Sequence, residues 1–132
     1  MNLEAKKENL ARVLSFVDGC LEAAGCSAKA QMQIEIAVEE IFVNIANYAY
    51  APDSGDVEIT VDIAGKPAEA VIEFRDRGAA FDPLAKPDPD VTLSAAERQV
   101  GGLGIYMVKK SMDSVAYTRE NGQNVLTLRK GI

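Results

Sequence analysis

Three short segments of the sequence carry polar or glycine residues that packing alone would not select. In EEIFVNIANYAY, residues 39–50, a helix brings Glu40, Asn44 and Asn47 onto one stripe at i, i+4 and i+7, among nearly continuous apolar residues. A helix side that only faces water more often combines Lys, Glu and Arg opposite an apolar side. The stripe is therefore a candidate site, and a solvated or hydrogen-bonded helix face is the alternative.

The second segment, FRDRGAAFDP at residues 74–83, combines a carboxylate with a glycine. Asp76 stands at the end of a predicted strand, where its carboxylate can accept a hydrogen bond. Gly78 lacks the side chain that would keep a ligand away from the backbone. An ordinary Asp-x-Gly turn is the alternative interpretation.

The third segment, GGLG at residues 101–104, precedes a predicted helix. Backbone N–H groups at the start of a helix bind anions, and glycines such as Gly101, Gly102 and Gly104 let phosphates come close. The segment is not a Walker loop, because no Lys-Ser/Thr pair follows. It is not a Rossmann fingerprint either, because it does not follow a first strand. Alone, it is weak evidence for an anion site.

Periodicity and turn residues predict the elements that position these segments. Apolar residues at three- and four-residue spacing predict a helix over residues 5–24. Ser27 is the expected N-cap of a second helix, which ends near Tyr50. The runs DVEITVDIAG and AEAVIEFRDRG then predict an antiparallel hairpin around a GKP turn.

The second half of the chain is predicted to begin with a lid loop over residues 84–101, with one helical turn near residues 92–98. A helix follows the glycines, and Asn121-Gly122, a strong hairpin dipeptide, predicts two final strands. The order of elements predicts an α+β fold. We expect a two-layer sandwich of helices on one face of a mixed, largely antiparallel sheet.

Length and composition fit one globular domain over residues 1–132, since 48% of the residues are hydrophobic and 26% are charged. The net charge of -6 argues against nucleic acid as a partner, because binding to phosphate backbones depends on clustered Lys and Arg. We see no signal peptide and no apolar run near the roughly 20 residues that span a bilayer. The sequence therefore predicts a cytoplasmic protein without a membrane partner.

The chain has two cysteines and no histidine. Cys20 and Cys26 match no zinc spacing, so we expect buried or half-buried thiols in a reducing compartment. The lack of histidine excludes Ser-His-Asp and Cys-His nucleophiles and a phosphohistidine relay within this chain. It also excludes the usual zinc and non-haem iron sites.

Taken in order, the motifs E-x-x-x-N, D-x-G-x-x-F-D-P and G-G-x-G resemble the GHKL nucleotide-binding fold of gyrase-type ATPases, Hsp90 and histidine kinase catalytic domains. Within that superfamily, the short length, the segment from AVEE to NYAY, the FDP sequence and the Met112-Asp113 pair are most similar to bacterial anti-sigma-factor serine/threonine kinases. The resemblance covers nearly the whole chain. Three ordered motifs are much more specific than any one of them.

The resemblance implies a role for each candidate residue. Glu40 matches the general base, and Asn44 matches the ligand of Mg²⁺, an ion that takes few protein ligands because water and phosphates supply much of its shell. Asn47 falls on the same side, one turn further on, where it could reach a phosphate or water. Asp76 matches the acceptor for the adenine amino group, and Gly78 matches the glycine beneath the base. The lid-hinge glycines, whose backbone meets the phosphates, correspond to Gly101, Gly102 and Gly104.

The same resemblance implies that the chain would bind ATP with Mg²⁺, sequester a sigma factor and phosphorylate a serine on a STAS-type anti-anti-sigma partner. A homodimer is also implied. Tyr48 departs from the family, because many members have a histidine there. Val100 departs as well, since related kinases often have an arginine there for the terminal phosphate and the nearest one here is Arg98.

These departures keep a second function open, a nucleotide-binding module that switches partners without phosphotransfer. A detached histidine kinase catalytic domain is a third interpretation. The absence of an acceptor histidine from the sequence disfavours it.

Overall fold

The computed structural model describes residues 1–85 and 102–132. Its helices are α1 (Leu10–Ala23), α2 (Ala28–Tyr48) and α3 (Gly102–Ser111). Its strands are β1 (Asn2–Glu4), β2 (Asp56–Ala64), β3 (Glu69–Asp76), β4 (Ser114–Glu120) and β5 (Gln123–Gly131). The predicted lid loop and its helical turn lie outside the described residues, apart from a short 3-10 turn at Pro83–Ala85.

The five strands form one sheet in the order β1-β2-β3-β5-β4, and each of these pairings is antiparallel. Alternate side chains of the central strand β3 are buried, among them Ile72 and Phe74, and Leu128 of the neighbouring strand β5 is buried as well. They join the buried side chains of all three helices in one core. The predicted two-layer α+β sandwich is confirmed, with an antiparallel sheet among the described strands.

Helix α1 presents a stripe of Val13, Val17 and Leu21 to the core, each with no exposed surface. Its end is closed by Gly25, whose φ of 74° lies in the left-handed region that glycine adopts without strain. The N–H of Cys26 then donates to the carbonyl of Leu21 at 3.0 Å, which completes a Schellman cap. The sequence therefore located the end of this helix correctly.

The predicted start of α1 at residue 5 is wrong. The helix begins at Leu10, after a 3-10 turn at Lys7–Asn9. The residues before that turn form the edge strand β1, which pairs with β2. The terminal amine of Met1 donates to the carbonyl of Ile59 at 2.9 Å and extends this pairing. A strand of three residues is too short to show a period, so the sequence pattern did not predict it.

Helix α2 begins where the sequence predicts. Ser27 has an extended backbone, and its Oγ accepts a hydrogen bond from the N–H of Ala30 at 3.2 Å. Ile34, Val38 and Phe42 of this helix are fully buried. Because this face is directed into the core, the stripe that contains Glu40 and Asn44 lies on the flank of the helix.

The hairpin between β4 and β5 turns at Asn121 and Gly122, whose φ angles are 50° and 75°. Two left-handed residues in a two-residue loop make the turn that Asn-Gly favours, and the predicted hairpin is confirmed. Its register pairs Tyr117 with Leu126. Side chains alternate along a strand, so Asn124 lies on the same face as the buried Leu126.

Both cysteines are free, half-buried thiols, as predicted. Burial raises the pKa of the Cys26 thiol above its ordinary value. Among the described helices, none has the length and apolar character needed to cross a membrane.

Candidate functional site

Glu40 and Asn44 form a hydrogen-bonded pair one turn apart on α2. Asn44 Nδ2 donates to the backbone carbonyl of Glu40 at 2.9 Å and to Glu40 Oε1 at 3.1 Å. Both acceptors require a donor, so the amide nitrogen must face Glu40. Asn44 Oδ1 is left without a donor among the described residues. That oxygen is therefore available to a cation or another ligand.

Gly104, in the first turn of α3, lies directly against the Glu40 carboxylate. A Cβ atom at this position would overlap both carboxylate oxygens of Glu40. The absence of a side chain therefore lets the start of α3 approach the predicted base. This contact brings the first and third sequence motifs together.

The first and third motifs contain three further predicted site residues. Asn47 is exposed on α2, one turn beyond Asn44. Gly102 is the first residue of α3, and Gly101 lies outside the described residues. The roles predicted for these three residues remain predictions.

Asp76, the last residue of β3, is only 5% exposed. Its Oδ1 accepts hydrogen bonds from the Gly78 N–H at 2.9 Å and from Asn124 Nδ2 at 3.0 Å. Its Oδ2 accepts none of the hydrogen bonds among the described residues. A buried carboxylate with one unpartnered oxygen fits the acceptor predicted for the amino group of a ligand.

Gly78 has a packing role that the sequence did not reveal. A Cβ atom at position 78 would overlap the backbone carbonyl group of Ala49 and lie 2.8 Å from its Cβ. The neighbouring Ala79 N–H donates to that carbonyl at 2.8 Å. The loop after β3 therefore rests on the end of α2, and glycine is required for this close approach. The role predicted for Gly78 beneath a bound adenine ring remains a prediction.

Asn124, on β5, is a site residue that the sequence reasoning missed. It is 5% exposed, and its Nδ2 donates to Asp76 Oδ1 and, at 2.8 Å, to the carbonyl of Ala79. The signal was available, because the register set by the Asn-Gly turn puts position 124 on the buried face of the strand. A polar residue at an inward position indicates a specific hydrogen-bonding role.

Asp76, Asn124 and Asn44 line one pocket between the sheet and α2. The remaining lining is mostly apolar and comprises Ile41, Ile45, Ala49, Phe74, Phe81, Pro83, Tyr117 and Leu126. The ring of Phe81 also lies beside that of Tyr48, with 5.9 Å between the ring centroids. Apolar walls with a few directed polar groups are typical of a pocket that binds a flat organic ligand. The pocket therefore connects the second motif with the first.

The family model of the histidine kinase-like ATPase domain matches residues 3–130. The chain belongs to this family. Its fold is also that of the Acinetobacter baumannii histidine kinase AdeS, with a TM-score of 0.56 over 99% of this chain and 67% of that chain. At 15% identity this likeness shows the shared fold alone.

Relatives of this ATPase-domain protein are named as kinases. Serine/threonine-protein kinase BtrW of Bordetella bronchiseptica is 28% identical over 102 residues, which cover 77% of this chain and 71% of the relative. Serine-protein kinase RsbW of Listeria monocytogenes is 28% identical over 96% of this chain and 82% of its own length. RsbW of Bacillus cereus is 26% identical over 96% and 80%. The GHKL assignment made from the motifs is confirmed, and the expected enzyme class is the one named for these relatives.

Proposed function

We propose that the chain is an ATP- and Mg²⁺-dependent protein serine/threonine kinase of the anti-sigma type. The observation that carries the proposal is the pocket that Asp76 and Asn44 share. The pocket contains the Asp76 carboxylate, an acceptor suited to the amino group of a nucleobase. It also contains the Asn44 amide oxygen, which is suited to a metal ion bound to phosphates. The family match and the kinase names of the relatives support the same function.

At the base end of the pocket, Oδ2 of Asp76 would accept from the amino group of adenine. Phe74, Phe81 and Leu126 supply apolar surface for the faces of the ring. Guanine carries a carbonyl where adenine carries that amino group, so an oxygen would face the carboxylate. The pocket should therefore prefer ATP to GTP.

At the phosphate end, Oδ1 of Asn44 would be the protein ligand of Mg²⁺. The donor set fits this ion, because an amide oxygen is a hard oxygen ligand of the kind that Mg²⁺ prefers. Mg²⁺ commonly takes one or two protein ligands and completes its shell with phosphate oxygens and water. When bound, it would neutralise negative charge on the phosphates.

Glu40 would act as the general base. The Asn44 amide holds its carboxylate in place through Oε1, and the Gly104 backbone lies against it. Glu40 would take the proton of a serine hydroxyl while the serine oxygen forms its bond to the terminal phosphorus of ATP. The bond from that phosphorus to the bridging oxygen then breaks, and ADP leaves with the electron pair.

The protein substrate would be a STAS-type anti-anti-sigma partner, and the sequestered protein would be a sigma factor. A homodimer is part of the same proposal. These partners follow from the motif resemblance to anti-sigma kinases. A module that switches partners without phosphotransfer is the second candidate, and the valine at position 100 favours it.

Equilibrium titration tests the nucleotide half of the proposal. We expect ATP to bind more tightly with Mg²⁺ than with a chelator, and more tightly than GTP under matched conditions. Equal affinity for the two nucleotides would contradict the role given to Asp76. Transfer of labelled phosphate from ATP to a STAS-type partner tests the kinase half. ATP binding without transfer to a partner that forms a complex with the chain would favour the switching module.

A further inference from the structure

Asn124 uses its whole side-chain amide in hydrogen bonds. Nδ2 donates to Asp76 Oδ1 at 3.0 Å and to the Ala79 carbonyl at 2.8 Å. Oδ1 accepts from the Tyr117 hydroxyl, from Arg119 Nη1 at 3.2 Å and from the Phe81 N–H at 3.4 Å. These five contacts come from three parts of the chain, namely the end of β3, the loop after β3 and strand β4.

The contacts fix which end of the amide faces Asp76. Rotating the amide by 180° would turn Oδ1 toward a carboxylate and a carbonyl, both of which are acceptors. The same rotation would turn the amide hydrogens toward the three donors from which Oδ1 now accepts hydrogen bonds. Because Asn124 is 5% exposed, water could not compensate these losses. The amide therefore presents only a donor to Asp76.

Because Oδ1 of Asp76 has a fixed donor, only the other carboxylate oxygen can accept a hydrogen bond from a ligand. Oδ1 is already held by Asn124 and by the Gly78 N–H at 2.9 Å. The carboxylate cannot rotate without giving up both bonds. Asp76 lines the pocket, and Oδ2 is the carboxylate oxygen that is left to accept a hydrogen bond from an N–H group of a ligand.

We propose that Asn124 is the positioning residue that sets the preference of the pocket for a purine with a 6-amino group. This inference rests on the proposed nucleotide function. It adds that selectivity comes from the pair Asn124–Asp76, with Asp76 contacting the base and Asn124 acting through it. A purely structural asparagine would support all purine nucleotides equally.

The test compares ATP with purine riboside triphosphate, which lacks only the 6-amino group. Affinities for both are measured with Mg²⁺ for the unmutated protein and for Asn124→Leu. Losing a hydrogen bond to a charged group corresponds to about 10- to 100-fold in an equilibrium constant. We expect Asn124→Leu to lower the preference for ATP by about 10-fold or more, because Asp76 then keeps only the hydrogen bond from the Gly78 N–H and its carboxylate is held less firmly.

Gln123→Leu is the matched control. It makes the same amide-to-leucine change one residue away, on the opposite face of the same strand, where Gln123 contacts Arg75 rather than the pocket. Its preference for ATP should equal that of the unmutated protein. If Asn124→Leu keeps the full preference as well, or if Gln123→Leu loses it equally, the inference is wrong.

Asn124→Asp provides a second test, which can be carried out even if Asn124→Leu is too unstable to fold. A carboxyl at position 124 can donate to Asp76 only when it is protonated, and two ionised carboxylates would repel each other. We expect this variant to regain ATP preference as the pH falls from about 8 to about 5.5, while the unmutated protein changes little by comparison. A preference that does not change with pH in Asn124→Asp would overturn the inference.

The outcomes separate the two proposals. If the unmutated protein binds no ATP, the proposed function fails. If it binds ATP with a clear preference over purine riboside triphosphate and Asn124→Leu retains that preference, the proposed function stands and the positioning role of Asn124 fails.

Discussion

The backbone of Gly104 lies so close to the carboxylate of Glu40 that no side chain fits between them. Gly104 lies in the first turn of α3 and Glu40 in the middle of α2, so the contact joins two motifs that are distant in sequence. The position of the predicted base therefore depends on the absence of a side chain on the neighbouring helix.

Gly104→Ala should separate catalysis from stability. The new methyl group meets the end of a flexible side chain, so Glu40 can rotate away at little cost to the fold. We expect the free energy of unfolding to change by less than about 1 kcal/mol. Phosphate transfer should fall by about 10²-fold, because a displacement of about 1 Å in a catalytic group has that effect. Chemical denaturation and a transfer assay measure the two quantities.

Gly19→Ala is the control for this substitution. Gly19 lies in α1, and a Cβ atom there would have no neighbour within 4 Å. Alanine is favoured over glycine in a helix by about 1 kcal/mol, so this variant should be more stable and should transfer phosphate normally. Phosphate transfer by Gly104→Ala at the unmutated rate would show that transfer does not depend on the position of the Glu40 carboxylate.

Gly78→Ala should instead destabilise the fold. Its methyl group would overlap the backbone of Ala49, which cannot rotate away as a side chain can. We expect a loss of about 1–3 kcal/mol in the free energy of unfolding, the range for overpacking in a well-packed region. A urea midpoint equal to that of the unmutated protein would mean that the loop after β3 is not held against α2.

The fold and the site differ in how much the sequence could predict. Caps and turns depend on neighbouring residues, so the roles of Ser27, Gly25 and the Asn121-Gly122 turn were predictable. The candidate residues Glu40 and Asn44 were predictable as a pair because helical spacing alone brings them together.

Long-range contacts were not predictable in the same way. The partner of Gly104 is Glu40 and the partner of Gly78 is Ala49, and neither follows from local pattern. Asn124 reaches Asp76 only because β5 pairs with β3, 48 positions away along the chain. A sequence motif identifies such residues as unusual, but the fold determines what they contact.

Stability should depend on pH through Glu35 on α2. Burial raises the pKa of this carboxyl above 4.5, and the Asp18 carboxylate raises it further, while the Gln31 amide lowers it. Glu22 adds a smaller contribution that also raises the pKa. Asp18 Oδ1 is buried and has no hydrogen-bond donor among the described residues. Ionised Glu35 therefore lies beside the Asp18 carboxylate, which has one buried oxygen without a donor.

The direction of this pH dependence follows from the raised pKa of Glu35. The contribution of Glu35 to stability is fully present below about pH 4.5 and is lost as the pH rises through the folded-state pKa. Glu35→Gln should thus be more stable than the unmutated protein at pH 7, and the difference should shrink in acid. Urea unfolding across this pH range measures the difference.

Glu39→Gln, which removes an exposed charge from the same helix, is the control for Glu35→Gln. It should show a much smaller dependence on pH. If the stability of both variants depends on pH in the same way, the change in net charge explains the effect, and the contact between Glu35 and Asp18 does not explain it.

Asn44 is proposed to hold the metal and nucleotide, and Glu40 to remove the proton of the acceptor serine. The variants Asn44→Ala and Glu40→Gln test these two roles together. Asn44→Ala should weaken Mg²⁺-dependent ATP affinity, because the ion loses its proposed protein ligand. Glu40→Gln keeps nearly the same shape and removes a negative charge near the phosphates, so ATP affinity should hold or improve. Its phosphate transfer to the STAS-type partner should fall by about 10²- to 10⁴-fold. Transfer by Glu40→Gln at the unmutated rate would contradict the account.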